Sequence, residues 1–126
     1  MKILIVDDSL LDRKLLSRSL ANAGIKNEII QAENGEAALG VVAQNLGDIA
    51  LMFVDYQMPN MSGVELMAGL VNVPATANIP IIMLTASSSE DSKRAAYAAN
   101  PNLAGYVIKP FKIDQLIGLV KPYVQF

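Results

Sequence analysis

The chain has 126 residues, 52% hydrophobic and 17% charged, which suits one folded domain of ordinary size and argues against disorder. A net charge of -2 offers no clustered basic surface for nucleic acid, and the absence of Cys and His excludes disulfides, thiolate metal sites, imidazole bases and a histidine phosphocarrier. No apolar run reaches the length of a signal core or a membrane span, so the expectation is a soluble cytoplasmic protein with no membrane insertion.

Residues 2–6, KILIV, form a continuous aliphatic run of the kind a strand buried on both faces requires. The run stops at Asp7-Asp8-Ser9, where Asp8 or Ser9 is the natural N-cap of a first helix. In that helix Leu11, Leu15, Leu16, Leu20 and Ala23 recur at helical spacing, with Arg13, Lys14 and Arg18 assigned to the opposite face and Gly24 to the stop. Asp12 reads as a surface residue. Residues 28–31 make a short, more polar strand, expected at or near a sheet edge. Asn34 caps a second helix, which ends at Gly47-Asp48. Residues 49–54 form a third strand and lead to Asp55.

Pro59 then breaks any regular structure, because it fixes its own φ and lacks an N–H. Ser62 and Glu65 are spaced as a capping box that opens a third helix, which must end before Pro74. Residues 81–84 form a fourth buried strand ending in Thr85-Ala86. Ser87 and Glu90 have the spacing of another capping box, opening a fourth helix that runs to about Asn100. Residues 106–108 form a fifth strand ending on Lys109-Pro110-Phe111. The last helix spans about 113–120, with Lys112 a poor cap and Pro122 a stop. Five strands alternating with five helices predict right-handed βαβ units and a doubly wound parallel sheet covered on both faces.

In such a sheet the carboxyl ends of the strands share one rim. Asp7, Asp8, Asp55, Thr85 and Lys109 all follow strands, so three carboxylates, a hydroxyl and an ammonium gather there. Two carboxylates about 4 Å apart repel by about 4 kcal/mol at an effective dielectric of about 20, and a hard divalent cation removes that cost. With no His or Cys, the oxygen ligands point to Mg²⁺, with Mn²⁺ as a substitute. A cation beside a Lys and a Thr hydroxyl suits a phosphoryl group. The nucleophile left to carry it is a carboxylate, best Asp55, with Asp7 and Asp8 holding the metal.

At this point the sequence resembles the response-regulator receiver family of bacterial two-component signalling. The matching residues are Asp7-Asp8, the DxxMPxMxG pattern (Asp55, Met58, Pro59, Met61, Gly63), Thr85-Ala86, and Lys109-Pro110-Phe111 after Tyr106-Val107-Ile108. Each motif alone is weak; all four in order at strand ends are highly specific, and the resemblance covers residues 1–126 as one receiver domain. It implies a flavodoxin-like, CheY-like strand order of 2-1-3-4-5. It implies that Asp55 accepts a phosphoryl group from a kinase phosphohistidine, and that the backbone carbonyl of Gln57 joins Asp7, Asp8 and Asp55 around Mg²⁺. Lys109 would contact the phosphoryl oxygens. Thr85 would move toward them, and Tyr106 would turn inward behind it, altering the face of the fourth helix, fifth strand and fifth helix. Gln57 and Ser87 would tune the acyl-phosphate lifetime, and the Lys109–Pro110 bond would be cis.

The resemblance further implies a histidine kinase or phosphotransfer protein as phosphodonor, a downstream protein partner on the switched face, no direct nucleic-acid contact, and a monomer or a phosphorylation-linked dimer. Because the chain stops after the fifth helix, the expectation is a stand-alone, chemotaxis-type regulator that catalyses only its own phosphorylation and dephosphorylation. A phosphorelay intermediate, a pseudo-receiver that is never phosphorylated, and a receiver excised from a larger regulator are the alternatives. A phosphatase of the haloacid dehalogenase type fits poorly, since it needs a DxD motif after the first strand and this chain has adjacent Asp7-Asp8.

Overall fold

A computed structural model describes all 126 residues. Its elements alternate along the chain as β1 (Lys2–Val6), α1 (Leu10–Asn22), β2 (Ile29–Ala32), α2 (Gly35–Gln44), β3 (Ile49–Val54), α3 (Gly63–Val71), β4 (Ile81–Thr85), α4 (Glu90–Ala99), β5 (Gly105–Ile108) and α5 (Ile113–Val120). All strand pairings are parallel, in the order β2-β1-β3-β4-β5. The polar β2 is therefore an edge strand, and the wholly buried β3 is central.

Strand side chains alternate between two cores, as a period of two demands. Leu4, Val6, Met52, Val54 and Met83 pack on one face beneath α2, α3 and α4, through Val42, Leu66 and Ala96 among others. Ile3, Ile5, Leu51, Phe53 and Leu84 pack on the other beneath α1 and α5, through Leu16, Leu20, Leu116 and Val120. Each fully buried large side chain contributes about 1.5–3 kcal/mol by leaving water. The C-terminal residues lie over the α1–β2 turn: the Lys26 N–H donates to the Gln125 carbonyl at 2.8 Å and the Gln125 N–H to Asn27 Oδ1 at 2.7 Å.

Two sequence expectations are corrected here. On α1, Leu16 and Leu20 are buried as expected, but Leu11 and Leu15 are 75% and 54% exposed and Arg13 is buried. Positions 13, 16 and 20 are the buried ones, and the Arg13 guanidinium finds acceptors at the end of β1 and on β2. Its Nη1 donates to the Asp7 carbonyl at 2.6 Å and its Nε to Gln31 Oε1 at 3.1 Å. The second correction concerns α4, whose N-cap is Ser89 rather than Ser87; Ser89 Oγ accepts from the Ser92 N–H at 3.1 Å. In a run of three serines the cap moves to whichever hydroxyl meets a free N–H. Ser9, Asn34 and Ser62 cap α1, α2 and α3, and Ser62 with Glu65 forms the full capping box. Lys112 provides no side-chain cap to α5.

Candidate functional site

The backbone ladder runs one residue beyond β1, β3 and β5 and delivers their polar groups to the rim. The Asp7 N–H donates to the Ala32 carbonyl at 3.2 Å, that of Asp55 to Val6 at 3.0 Å, and that of Lys109 to Thr85 at 2.8 Å. Carboxylate oxygens of Asp7, Asp8 and Asp55 consequently lie within 4.8 Å of one another. Asp8 and Asp55 border an open cleft of about 540 Å³, whose wall also includes Gln57, Ser62 and Thr85.

The loop after β3 folds back closely on itself. The Gly63 N–H donates to the Tyr56 carbonyl at 2.8 Å, and a Cβ on Gly63 would stand 2.1 Å from the Asp55 carbonyl oxygen. Only glycine fits there, which gives the last position of the DxxMPxMxG pattern a steric reason. Met61 of the same pattern packs against Gly35, where an added Cβ would lie 2.5 Å from its sulfur.

Lys109 reaches across from the end of β5, and the Lys109–Pro110 bond is cis. Its Nζ donates to Asp7 Oδ2 at 2.6 Å, to Asp12 Oδ2 at 2.9 Å and to Asp55 Oδ2 at 3.3 Å. Burial acts to lower the Lys109 pKa, yet the bonds to Asp12 and Asp7 and the charges of Asp55 and Asp7 raise it overall. Asp7 is also pushed up. Its burial is the main cause and the Asp55 charge adds to it, against the opposing bonds from Lys109 and the Ser9 N–H. The Lys109 rise reflects one ammonium facing three carboxylates, whereas the Asp7 rise reflects first its burial and then the neighbouring Asp55 charge. A hard cation among Asp7, Asp8 and Asp55 would relieve the excess, and the all-oxygen donor set fits Mg²⁺ or Mn²⁺.

Thr85 is buried at the end of β4, and its Oγ1 accepts from the Ser87 N–H at 3.1 Å. Tyr106 and Ser87 stand outside the cleft but touch each other, the Tyr106 hydroxyl donating to the Ser87 carbonyl at 2.7 Å. Burial, followed by the nearby Tyr56 and Asp55, raises the Tyr106 phenol. The rim thus unites Asp7, Asp8, Asp55, Lys109, Thr85 and Gln57, and a hydrogen-bonded chain runs from Thr85 through Ser87 to Tyr106.

Sequence reasoning missed Asp12, which it left on the surface and which binds Lys109. The available signal was its position one helical turn after Asp8, on a helix that starts at the rim. Arg13, also missed, fixes the Asp7 carbonyl from behind.

The family model for the response regulator receiver domain matches residues 3–121. The phosphate regulon transcriptional regulatory protein PhoB of Pseudomonas aeruginosa is 36% identical over 94% of this chain, which spans only 49% of PhoB. Chemotaxis protein CheY of the same organism is 32% identical over 92% of this chain and 90% of its own length. Among solved structures, the Mn²⁺-bound form of response regulator Rcp1 superposes with a TM-score of 0.78 at 28% identity, covering 96% of this chain and 89% of that one. With strand order, rim residues and a family match running from the first strand to the end of the last helix, this chain belongs to the response regulator receiver domain family.

Proposed function

We propose that residues 1–126 act as one receiver domain, in the bacterial cytoplasm, which accepts a phosphoryl group on Asp55 from a phosphohistidine of a kinase or phosphotransfer protein. An Asp55 carboxylate oxygen bonds to phosphorus as the bond to the imidazole nitrogen breaks, and that nitrogen keeps the electron pair. Asp7, Asp8, Asp55 and the Gln57 carbonyl would hold Mg²⁺, which when bound supplies positive charge to the phosphoryl oxygens. Lys109 would neutralise the same oxygens, and Thr85 would donate a hydrogen bond. The observation that carries this reading is the Lys109 ammonium lying 3.3 Å from Asp55 beside a three-carboxylate cluster. The Mn²⁺ bound by Rcp1 supports the metal assignment.

Phosphorylation adds about -1.5 to -2 charges and new acceptor oxygens. Drawing Thr85 Oγ1 toward them releases the Ser87 N–H it now accepts from, and Ser87 holds the Tyr106 hydroxyl. The disturbance would therefore reach α4, β5 and α5, the face for a downstream protein. A charge-assisted hydrogen bond contributes about 1.5–3 kcal/mol, so two approach the roughly 5.5 kcal/mol that inverts a 1:99 equilibrium. Gln57, on the cleft wall, and Ser87 would set how fast water removes the group. This is a signalling role, with catalysis limited to the domain's own phosphorylation and dephosphorylation. The CheY match along 90% of that protein favours a chemotaxis-type regulator. The PhoB match over 49% of its length supports a second reading, a receiver coupled to a separate effector.

The test is intact mass after incubation with acetyl phosphate, with Mg²⁺ present or chelated. The expected result is one phosphoryl adduct that needs Mg²⁺ and is lost in Asp55→Asn. A folded, Mg²⁺-binding protein with no adduct would make it a pseudo-receiver. An adduct that persists in Asp55→Asn would move the acceptor elsewhere.

A further inference from the structure

A lysine ammonium has three N–H donors. All three on Lys109 point at carboxylates: Asp7 Oδ2 at 2.6 Å, Asp12 Oδ2 at 2.9 Å and Asp55 Oδ2 at 3.3 Å. Asp7 and Asp55 belong to the cluster that can hold a metal, and Asp12 does not. Asp12 comes from the first turn of α1, where its own N–H donates to the Ser9 cap at 3.2 Å, so its backbone is fixed. Its carboxylate is 40% exposed and has Lys109 as its one salt-bridge partner.

We propose that Asp12 is a positioning residue for Lys109. Together with Asp7 it occupies two of the three ammonium donors and leaves the third aimed at Asp55. This rests on Asp55 being the phosphoryl acceptor. The lysine stem is flexible, and a point charge on a flexible stem has no aim of its own. Two fixed acceptors supply one. When Asp55 becomes an acyl phosphate it loses its carboxylate charge and gains phosphoryl oxygens next door. Lys109 then needs to redirect only its third donor, and its hold on Asp7 and Asp12 can persist. Asp12 is also the one partner of the ammonium that a cation in the Asp7, Asp8 and Asp55 cluster would not share. A different role for Asp12, plain repulsion of an anionic phosphodonor, has the opposite sign: removing the carboxylate would then speed phosphorylation.

The experiment compares the full chain with Asp12→Ala and Asp12→Glu by two readouts. One is the initial rate of the Asp55 adduct with acetyl phosphate and Mg²⁺. The other, in metal-free protein, is proton exchange of the Lys109 ammonium by NMR. Asp12→Ala should slow phosphorylation by roughly 3- to 10-fold and speed ammonium exchange by a similar factor, the scale of one partly exposed charge-assisted hydrogen bond. Asp12→Glu should recover most of both. An unchanged or faster phosphorylation rate in Asp12→Ala, or unchanged ammonium exchange, overturns the inference while leaving the acceptor intact. A wild-type chain with no adduct on Asp55 overturns the acceptor reading and this inference with it.

Discussion

Lys109 ties the end of β5 to Asp7 after β1 and to Asp55 after β3, across 102 and 54 residues of chain. It is the one cation bonded to the rim carboxylates, so replacing it by Met leaves them uncompensated. We expect Lys109→Met to lower stability at neutral pH by about 2 kcal/mol, reduced from the fully buried case because the site is partly open. The effect should depend on pH in a definite direction. The folded state holds the Lys109 proton more tightly than the ordinary value of 10.5. Its stabilisation is therefore whole below pH 10.5 and fades as pH rises through the folded value. Urea unfolding of both proteins from pH 7 to pH 12 checks this: the gap between them should stay constant to about pH 10 and then close. A gap that widens on the alkaline side would mean that the ammonium is not stabilised by its neighbours. The gathering of Asp7, Asp8, Asp55 and Lys109 at one rim was legible from residue types at strand ends. Asp12 was not, because an acid in the first turn of a helix is already explained by the positive end of the helix dipole, and only the reach of Lys109 gives it a second purpose.

The helices carry the clearest departures from their sequence patterns. Ser87 and Glu90 have capping-box spacing, yet Ser89 is the cap of α4 and Ser87 instead donates from its hydroxyl to Ser92 Oγ at 2.8 Å. Ser89→Ala should then cost about 1 kcal/mol, as the loss of a serine cap usually does, while Ser87→Ala costs only a few tenths. Chemical denaturation of the two variants separates the assignments, and the reverse ranking would restore Ser87 as the cap. Periodicity placed α1 correctly but rotated it. A leucine-rich turn has more apolar residues than one face can bury, so spacing alone could not decide which leucines go inward. The deciding group was Arg13, whose guanidinium meets the buried Asp7 carbonyl and, at its outer end, the exposed Gln31 side chain. Strands suffered no such ambiguity. β1, β3 and β4 are buried along nearly their whole length, and an unbroken aliphatic run is what that requires.

Across the molecule, an alternating βαβ pattern was enough to establish parallel strands with helices on both faces, whereas the 2-1-3-4-5 order followed from resemblance. Local pattern separates a buried strand from an edge strand such as β2 but does not order the strands between the edges. The rim stores unfavourable charge, since Asp7, Asp8 and Asp55 oxygens crowd within 4.8 Å. A divalent cation should therefore stabilise the whole fold. At about 100 times its Kd it adds about 2.7 kcal/mol, and in a domain of this size that raises Tm by roughly 10 °C. Calorimetry with and without Mg²⁺ should show the shift in the wild type and its loss in Asp8→Ala, which leaves the Lys109 contacts untouched. An equal shift in both proteins would locate the cation elsewhere.

The distance along the chain between Asp7 and Lys109 also has a consequence for biosynthesis. During translation the acidic half of the rim emerges with the first strands, long before its counter-charge. Lys109 follows Asp7 by 102 residues and must leave the ribosome with the last strand to close the circuit. A chain stopped before residue 109 would carry the rim carboxylates without their ammonium. The acidic and basic sides of the rim thus come from opposite ends of the domain, and its charge balance belongs to the whole five-strand array and to no shorter piece of it.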